Sequence, residues 1–210
     1  MNISIIGASA GIGFETVKRA LDRNHSVTAL SRSKIEIADN ENLIAINGSA
    51  TNKADLQKAI ENADAVVVAL GTGKSIKGTT LFSDFTKLLV EIQRERALKI
   101  PFVFVTGFGA GESKKYAPFP VNLMLKFMLK GVYDDKTKME EMIGQSDMDW
   151  TIVRPGLLLD NPLTENYKIE NSLYKGIKMG KISRADVADF LVKQAEQQTE
   201  VKKFVTISAN

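Results

Sequence analysis

The sequence predicts an α/β fold, a single domain built on a doubly wound parallel sheet of about seven strands. Three observations support this. Short apolar runs alternate with patterns of helical spacing, a glycine-rich turn joins the first run to the first helix, and no linker, repeat or shift of composition divides the 210 residues. Strands that alternate with helices form crossover units, whose helices cover both faces of a parallel sheet.

The strands are predicted from apolar runs of β-type residues. The run AVVVAL at 65–70 is apolar on both faces, which suits a central strand. The helices are predicted from segments whose apolar residues recur at intervals of three and four. The runs are 3–6, 27–30, 43–46, 65–70, 102–105, 150–153 and 204–207, and the helical segments are 13–23, 52–63, 81–97, 136–145 and 184–198.

The turn GASAGIG lies between the first strand and the first helix. A pyrophosphate binds well in such a turn, because the first amides of a helix are unpaired and the helix dipole favours negative charge there. Gly7 permits the tight turn, Gly11 lets the backbone approach the phosphates, and Gly13 lets the helix pack on the sheet. The predicted cofactor-binding residues of this turn are Gly7, Ser9, Ala10, Gly11, Ile12 and Gly13.

The end of the second strand predicts which dinucleotide is bound. An acidic residue there would accept hydrogen bonds from the ribose 2′-hydroxyl and repel a 2′-phosphate. This chain has Ser31, Arg32 and Ser33 instead. Hydroxyls and a guanidinium are suited to phosphate, so the sequence predicts that NADP(H) is preferred over NAD(H).

The segment 107–131 departs from the strand and helix rhythm. It begins with a glycine-rich loop, passes two prolines and ends in a short helical pattern. Polar residues follow one face of that helix and leave a broad apolar face with Leu123, Met124, Phe127 and Met128. Three interpretations stay open: a helix packed on the core, a wall of a substrate pocket, or a dimer surface.

The composition favours small-molecule chemistry. The 28 basic and 25 acidic residues give a net charge of +3, and the scattered lysines do not indicate a nucleic-acid partner. The absence of cysteine excludes disulfides and thiolate sites, and a single histidine makes a metal centre unexpected. No apolar run approaches the roughly 20 residues of a membrane helix. We therefore expect a cytoplasmic protein, monomeric or homodimeric, with a small-molecule acceptor and with neither a membrane nor a metal.

The chain resembles an atypical, extended-type short-chain dehydrogenase/reductase. It is similar to the single-domain NAD(P)H-binding branch, which includes NmrA-like proteins and flavin reductase/biliverdin-IXβ reductase-like enzymes. The stretches that carry the resemblance span nearly the whole chain. They are GASAGIG, SRS, ADAVVVALGTGKSIKGTTLFSDFTKLL, VFVTGFGAG, DWTIVRPGLL, NPLTENY and ISRADVADFL.

The resemblance implies a Rossmann-like domain over 1–210, with strand order 3-2-1-4-5-6-7 and substrate-side segments at 107–131 and 157–182. It places the adenine near Ser49 and Ala50, although the family often has Asp where this chain has Ser49. It places the nicotinamide near Thr106. The remaining implied contacts are Ala69, Leu70, Gly71 and Thr72 for ribose and phosphates, and Pro155, Gly156 and Leu157 for the nicotinamide.

The catalytic pattern of the resembled family is incomplete. Its members place a Tyr four residues before a Lys that holds the ribose, and this chain has Val132 four residues before Lys136. Tyr133 is one residue later, about 100° around a helix, so we expect it to face elsewhere. The predicted catalytic residues are therefore Lys136 and Thr106, whose hydroxyl is expected to be the best-placed donor.

Two functions follow from an intact dinucleotide site beside an altered catalytic pattern. The first is an NADPH-dependent oxidoreductase that transfers hydride to a small planar acceptor of flavin, quinone or tetrapyrrole type. For such an acceptor the main requirement is stacking against the nicotinamide, because water or a nearby hydroxyl can supply the proton. The second is a catalytically weak NADP(H)-binding redox sensor or regulatory protein.

Overall fold

The computed structural model describes residues 1–73, 75–177 and 180–210. The strands are β1 (Asn2–Ile6), β2 (Ser26–Ser31), β3 (Leu43–Asn47), β4 (Ala65–Val68), β5 (Pro101–Val105), β6 (Asp149–Pro155), β7 (Leu157–Leu159), β8 (Tyr167–Glu170), β9 (Lys181–Ser183) and β10 (Lys203–Ala209). The helices are α1 (Gly11–Asp22), α2 (Lys53–Ile60), α3 (Leu81–Arg96), α4 (Phe119–Phe127), α5 (Lys130–Gly144) and α6 (Arg184–Glu196), with a 3-10 helix at Gly111–Tyr116.

The central sheet has the order β3-β2-β1-β4-β5-β6-β10-β8. Its first seven positions confirm the predicted order 3-2-1-4-5-6-7, with β10 as the seventh strand. The predicted count of seven is wrong by one, because β8 pairs antiparallel with β10 at the edge of the sheet. The four residues of β8, YKIE, are half-buried or exposed and include two charged side chains, so they form no apolar run. A separate two-stranded sheet pairs β7 with β9.

Helices cover both faces of the sheet. Alternate residues of β4 divide between two cores, with Val67 on one side and Val66 and Val68 on the other. α1 and α6 pack on the first side, and α2, α3 and α5 pack on the second. The prediction of a central strand that is apolar on both faces is confirmed, since all four residues of β4 are buried.

The two segments that were predicted to lie on the substrate side, residues 107–131 and 157–182, lie partly outside the regular architecture. The first contains the 3-10 helix and α4, and the second contains β7 and β8. Residues 178 and 179 of the second segment lie outside the described residues. Among the described helices, none combines the length and the apolar character needed to cross a bilayer.

The four apolar side chains of the predicted helical face are exposed rather than packed on the core. Phe127 is 71% exposed, and Leu123, Met124 and Met128 are also exposed. Of the three interpretations of this segment, the one as a helix packed on the core is therefore wrong. The short α4 lies at the surface, and its buried Leu125 fills the space beside Gly109.

Candidate functional site

A crevice of about 650 Å³ opens at the carboxyl ends of the central strands. It lies at the reversal of the strand order between β1 and β4, where neighbouring strands send their loops in opposite directions. The crevice brings together most of the residues predicted from sequence: Gly7, Ser9, Ala10, Gly11, Ile12, Ser31, Arg32, Ser33, Ser49, Ala50, Ala69, Leu70, Gly71, Thr72, Thr106, Lys136, Pro155 and Gly156.

The glycine turn has the geometry that a phosphate requires. Gly7 has φ +91°, and a Cβ on it would lie 2.7 Å from the carbonyl oxygen of Ala69. A Cβ on Gly13 would lie 2.1 Å from the carbonyl oxygen of Gly7, so Gly13 serves close packing and is not among the residues that line the crevice. Ala10, the N-cap of α1, has no side-chain oxygen with which to satisfy the first helical amides. These residues fit a pyrophosphate.

At the end of β2, the predicted 2′-phosphate residues differ in their surroundings. Ser31 is buried, and its hydroxyl donates to the carbonyl of Ser33 at 2.5 Å. Arg32 is exposed and lines the crevice. Ser31 therefore shapes the turn, and the Arg32 guanidinium is the side chain best placed to meet a phosphate.

At the predicted adenine position, Ser49 is held by local hydrogen bonds. Its backbone N–H donates to Asp55 at 2.8 Å, and its hydroxyl lies 3.0 Å from that of Thr51. Because this N–H already donates to a carboxylate, it is not available to donate a hydrogen bond to an adenine. The hydroxyl of Ser49 and the buried Ala50 remain as the predicted contacts.

At the opposite end of the crevice, Thr106 has a different role from the one predicted. Its hydroxyl donates to Glu140 Oε1 at 2.6 Å, and the residue is only 3% exposed. The hydroxyl proton therefore points into the protein, and the prediction of Thr106 as the proton donor is revised. Leu157 is also displaced from the predicted site. It is exposed on β7 and its neighbour Leu158 lines the crevice, because successive residues of a strand face opposite sides.

Tyr133 lies in the crevice, and the prediction that it faces elsewhere is wrong. Tyr133 and Lys136 both line the same end of the crevice. They are three residues apart on α5, a spacing that places two side chains on one helical face. Gly107 makes the room, since a Cβ there would lie 3.1 Å from the Tyr133 hydroxyl. The buried Val132 turns into the core instead.

The two side chains differ in charge and protonation. Lys136 Nζ donates to the backbone carbonyl of Thr106 at 2.5 Å and lies 5.3 Å from the centre of the Tyr133 ring. Burial lowers the pKa of Lys136 to about 8, an effect that the Glu140 carboxylate opposes. Burial raises the pKa of the Tyr133 phenol. At neutral pH the site therefore holds an ammonium beside a protonated phenol.

A buried ion pair supports this end of the crevice from behind. Glu140 accepts from Arg154 at 3.0 Å and 2.6 Å, and both side chains are 3% exposed. Sequence alone left open whether Arg154 touches a ligand or forms a structural ion pair, and the structure shows the ion pair. Because Glu140 also accepts from Thr106, the pair fixes the end of β5 against α5 and β6.

Among the described residues of the crevice, sequence reasoning missed three polar side chains, Thr51, Tyr133 and Arg184. The available signal for Tyr133 was its spacing of three from Lys136. For Arg184 it was the N-cap Ser183, which accepts the backbone N–H of Asp186 at 2.9 Å and so fixes the start of α6.

Comparisons with known proteins find a matching family model, similar sequences and similar folds. A family model described as NAD(P)H-binding matches residues 7–198. The reductase pytE of Aspergillus terreus is 27% identical over 256 residues, covering 98% of this chain and 97% of that protein. SP1627 of Streptococcus pneumoniae, a candidate NADH-flavin reductase, aligns over 100% of both chains with a TM-score of 0.79 at 22% identity. A short-chain dehydrogenase/reductase from Veillonella parvula, solved in complex with NADP, aligns over 99% of this chain and 94% of that chain with a TM-score of 0.80 at 18% identity.

Proposed function

The chain belongs to the NAD(P)H-binding family, and on that premise we propose that it is an NADPH-dependent reductase of a small planar acceptor of flavin, quinone or tetrapyrrole type. One observation carries the proposal. A single crevice joins a glycine turn that fits a pyrophosphate to the Tyr133 and Lys136 pair at its other end. The reductase and NADH-flavin reductase among the similar proteins support the same class of reaction.

The reaction divides between cofactor and protein. When bound, a reduced nicotinamide supplies the hydride. Tyr133 holds a proton on its hydroxyl at neutral pH, since the ordinary pKa of a phenol is already about 10 and burial raises it further, and the hydroxyl can donate that proton to an acceptor at the mouth of the crevice. Lys136 places a positive charge where ribose hydroxyls and a reduced acceptor would accept hydrogen bonds. Thr106 and Glu140 hold the walls of the site in place.

We propose that the cofactor is NADPH in preference to NADH. The turn after β2 presents Arg32 to the crevice and has no carboxylate at 31–34. A guanidinium can grip a 2′-phosphate with two hydrogen bonds. The complex of the similar Veillonella parvula protein with NADP supports this choice.

The cofactor and the function are tested in one set of measurements. Calorimetry should give a tighter Kd for NADPH than for NADH. Arg32→Ala should weaken NADPH alone, by about 10- to 100-fold, since a hydrogen bond to a charged group contributes roughly 1.5–3 kcal/mol. Equal affinities for the two cofactors would refute the preference.

The absorbance of NADPH at the nicotinamide band then follows turnover with FMN, a water-soluble quinone and biliverdin. Oxidation with at least one acceptor is the expected result. Tight NADPH binding without oxidation of any of the three would refute the reductase and favour the redox-sensing regulator.

A further inference from the structure

Arg184 brings a positively charged side chain into the crevice from outside the glycine turn. It is the first residue of α6, and its side chain lines the crevice beside the start of α1. Its Nε lies 3.8 Å from the point where a Cβ on Gly11 would be. The Nε end of the guanidinium therefore lies beside Gly11.

The side chain is held in this position at both of its ends. The N-cap Ser183 fixes the backbone at the start of α6, since its hydroxyl accepts the N–H of Asp186. At the tip, Nη1 donates to Asp160 at 2.6 Å. The N–H of Nε points to the side of a guanidinium away from Nη1, so the hydrogen bond to Asp160 leaves the Nε and Nη2 edge available for a second anion.

We propose that Arg184 binds the pyrophosphate of the cofactor, opposite the amides at the start of α1. An anion at the start of α1 would lie between the helical amides, which carry partial positive charge, and a full guanidinium charge. The Nε and Nη2 edge matches two oxygens of one phosphate. The pair with the exposed Asp160 occupies Nη1 and leaves that edge free. This inference rests on the proposed function, because it assumes that a dinucleotide occupies the crevice.

The experiment separates the pyrophosphate from the rest of the cofactor. Kd is measured for NADPH by calorimetry and for 2′-AMP by competition, because 2′-AMP has the adenosine and the 2′-phosphate but no pyrophosphate. Arg184→Ala should weaken NADPH by about 10- to 100-fold and leave 2′-AMP unchanged. Arg32→Ala should weaken both ligands. The control for the loss of one positive charge is Arg96→Ala. Arg96 is exposed at the carboxyl end of α3, and its replacement should change the Kd of neither ligand.

The outcomes are distinct. Failure of the unaltered protein to bind NADPH would overturn the proposed function itself. Binding that is the same in Arg184→Ala, or equally weakened for NADPH and 2′-AMP, would overturn only the role of Arg184. If melting shows that Arg184→Ala does not fold, Arg184→Lys decides by the same comparison. The lysine keeps the charge but lacks the two-pronged edge, so a selective loss of about threefold or more for NADPH is expected, and an unchanged Kd would overturn the proposal.

Discussion

At the scale of single residues, Tyr133 and Lys136 occupy one face of α5 but differ in what surrounds their polar groups. The ammonium of Lys136 is bound to the Thr106 carbonyl, whereas the Tyr133 hydroxyl lies above Gly107, where the lack of a side chain keeps space open. Burial favours the neutral form of each group, which lowers one pKa and raises the other. Geometry assigns the roles in our proposal: the phenol, whose hydroxyl lies over Gly107, is the proton donor, and the ammonium, held by the Thr106 carbonyl, is the binding group.

The first prediction concerns Tyr133→Phe. Removal of the phenolic proton should lower kcat for NADPH oxidation by about 100-fold, the lower range of general-acid catalysis, because no transferable proton remains on that ring. Kd for NADPH should stay within about twofold, because the ring is retained. The matched control is Tyr174→Phe, whose hydroxyl donates to Glu170 on an exposed surface. The measurement is steady-state kinetics with FMN as acceptor. An unchanged kcat would show that water, and not Tyr133, supplies the proton.

The second prediction concerns the pH dependence of cofactor binding. The pKa of Lys136 is about 8, so its ammonium is present below pH 8 and is lost above it. A bound anionic cofactor stabilises the ammonium, so affinity is full at pH 7 and falls as the pH rises. Kd for NADPH should increase by about tenfold between pH 7 and pH 9.5, corresponding to one unit of pKa difference between free and bound protein.

Calorimetry across this range is compared with two lysine variants on the same helix. Lys136→Met should give weaker binding that no longer changes between pH 7 and pH 9.5. Lys138→Met, at an exposed position, should keep the original profile. A profile that survives in Lys136→Met would assign the titration to another group.

At the scale of elements, α5 is tied to α3 through one carboxylate. Asp135 is 2% exposed and accepts from the backbone N–H of Phe82 at 2.8 Å and from the hydroxyl of Ser83 at 2.5 Å. It therefore satisfies amides at the start of α3 that no side chain of the N-cap residue satisfies. Since Lys136 is the next residue, the same contact sets how α5 presents its face to the crevice.

The third prediction compares two adjacent aspartates. Asp135→Asn should lower the free energy of unfolding by about 1–3 kcal/mol, because buried donors lose a charged acceptor. Asp134→Asn should change it by less than about 0.5 kcal/mol, since that side chain is 42% exposed and pairs with Lys130 on the surface. Urea denaturation measures both. Equal effects would show that Asp135 does not anchor the helix.

At the scale of the whole molecule, Asp189 joins three elements on the other side of the sheet. It is fully buried on α6 and accepts from Arg19 of α1 at 2.6 Å, from Tyr167 of β8 at 2.6 Å and from Lys193 at 2.7 Å. Burial by itself would raise the pKa of Asp189, but the hydrogen bonds from Lys193, Tyr167 and Arg19 outweigh it and lower the pKa. This carboxylate therefore fixes the edge strand β8 and α1 to α6.

The fourth prediction is that Asp189→Asn destabilises the protein by about 1–3 kcal/mol at pH 7, because three donors lose a buried, charged acceptor, while Arg19 and Lys193 keep their pairs with Glu165. The pKa is lowered on folding, so the stabilisation is present above about pH 4 and is lost as the pH falls through the folded value. Urea denaturation from pH 7 to pH 3 should show a smaller acid-induced loss in the variant. The exposed Asp22→Asn is the control and should follow the unaltered protein.

Local patterns predicted most of the fold and much of the crevice. Seven apolar runs correspond to the seven parallel strands, and the glycines of the first turn have the conformations that their spacing indicates. These features depend on residues close together in the chain, where spacing alone determines burial and turn geometry. The short polar β8 and the exposed face of α4 left no comparable signal, because each depends on what the rest of the molecule places beside it.

The sequence by itself determined the fold class, the glycine turn between β1 and α1 and the absence of an acidic residue directly after β2. Tertiary structure alone decided the other end of the crevice. Tyr133 enters it because Gly107 leaves room and Asp135 anchors α5 to α3, and Thr106 is turned away by Glu140. These partners are between 26 and 53 residues apart in the chain. The direction of a side chain is set by the contacts made when helices pack, and periodicity along one helix does not contain that information.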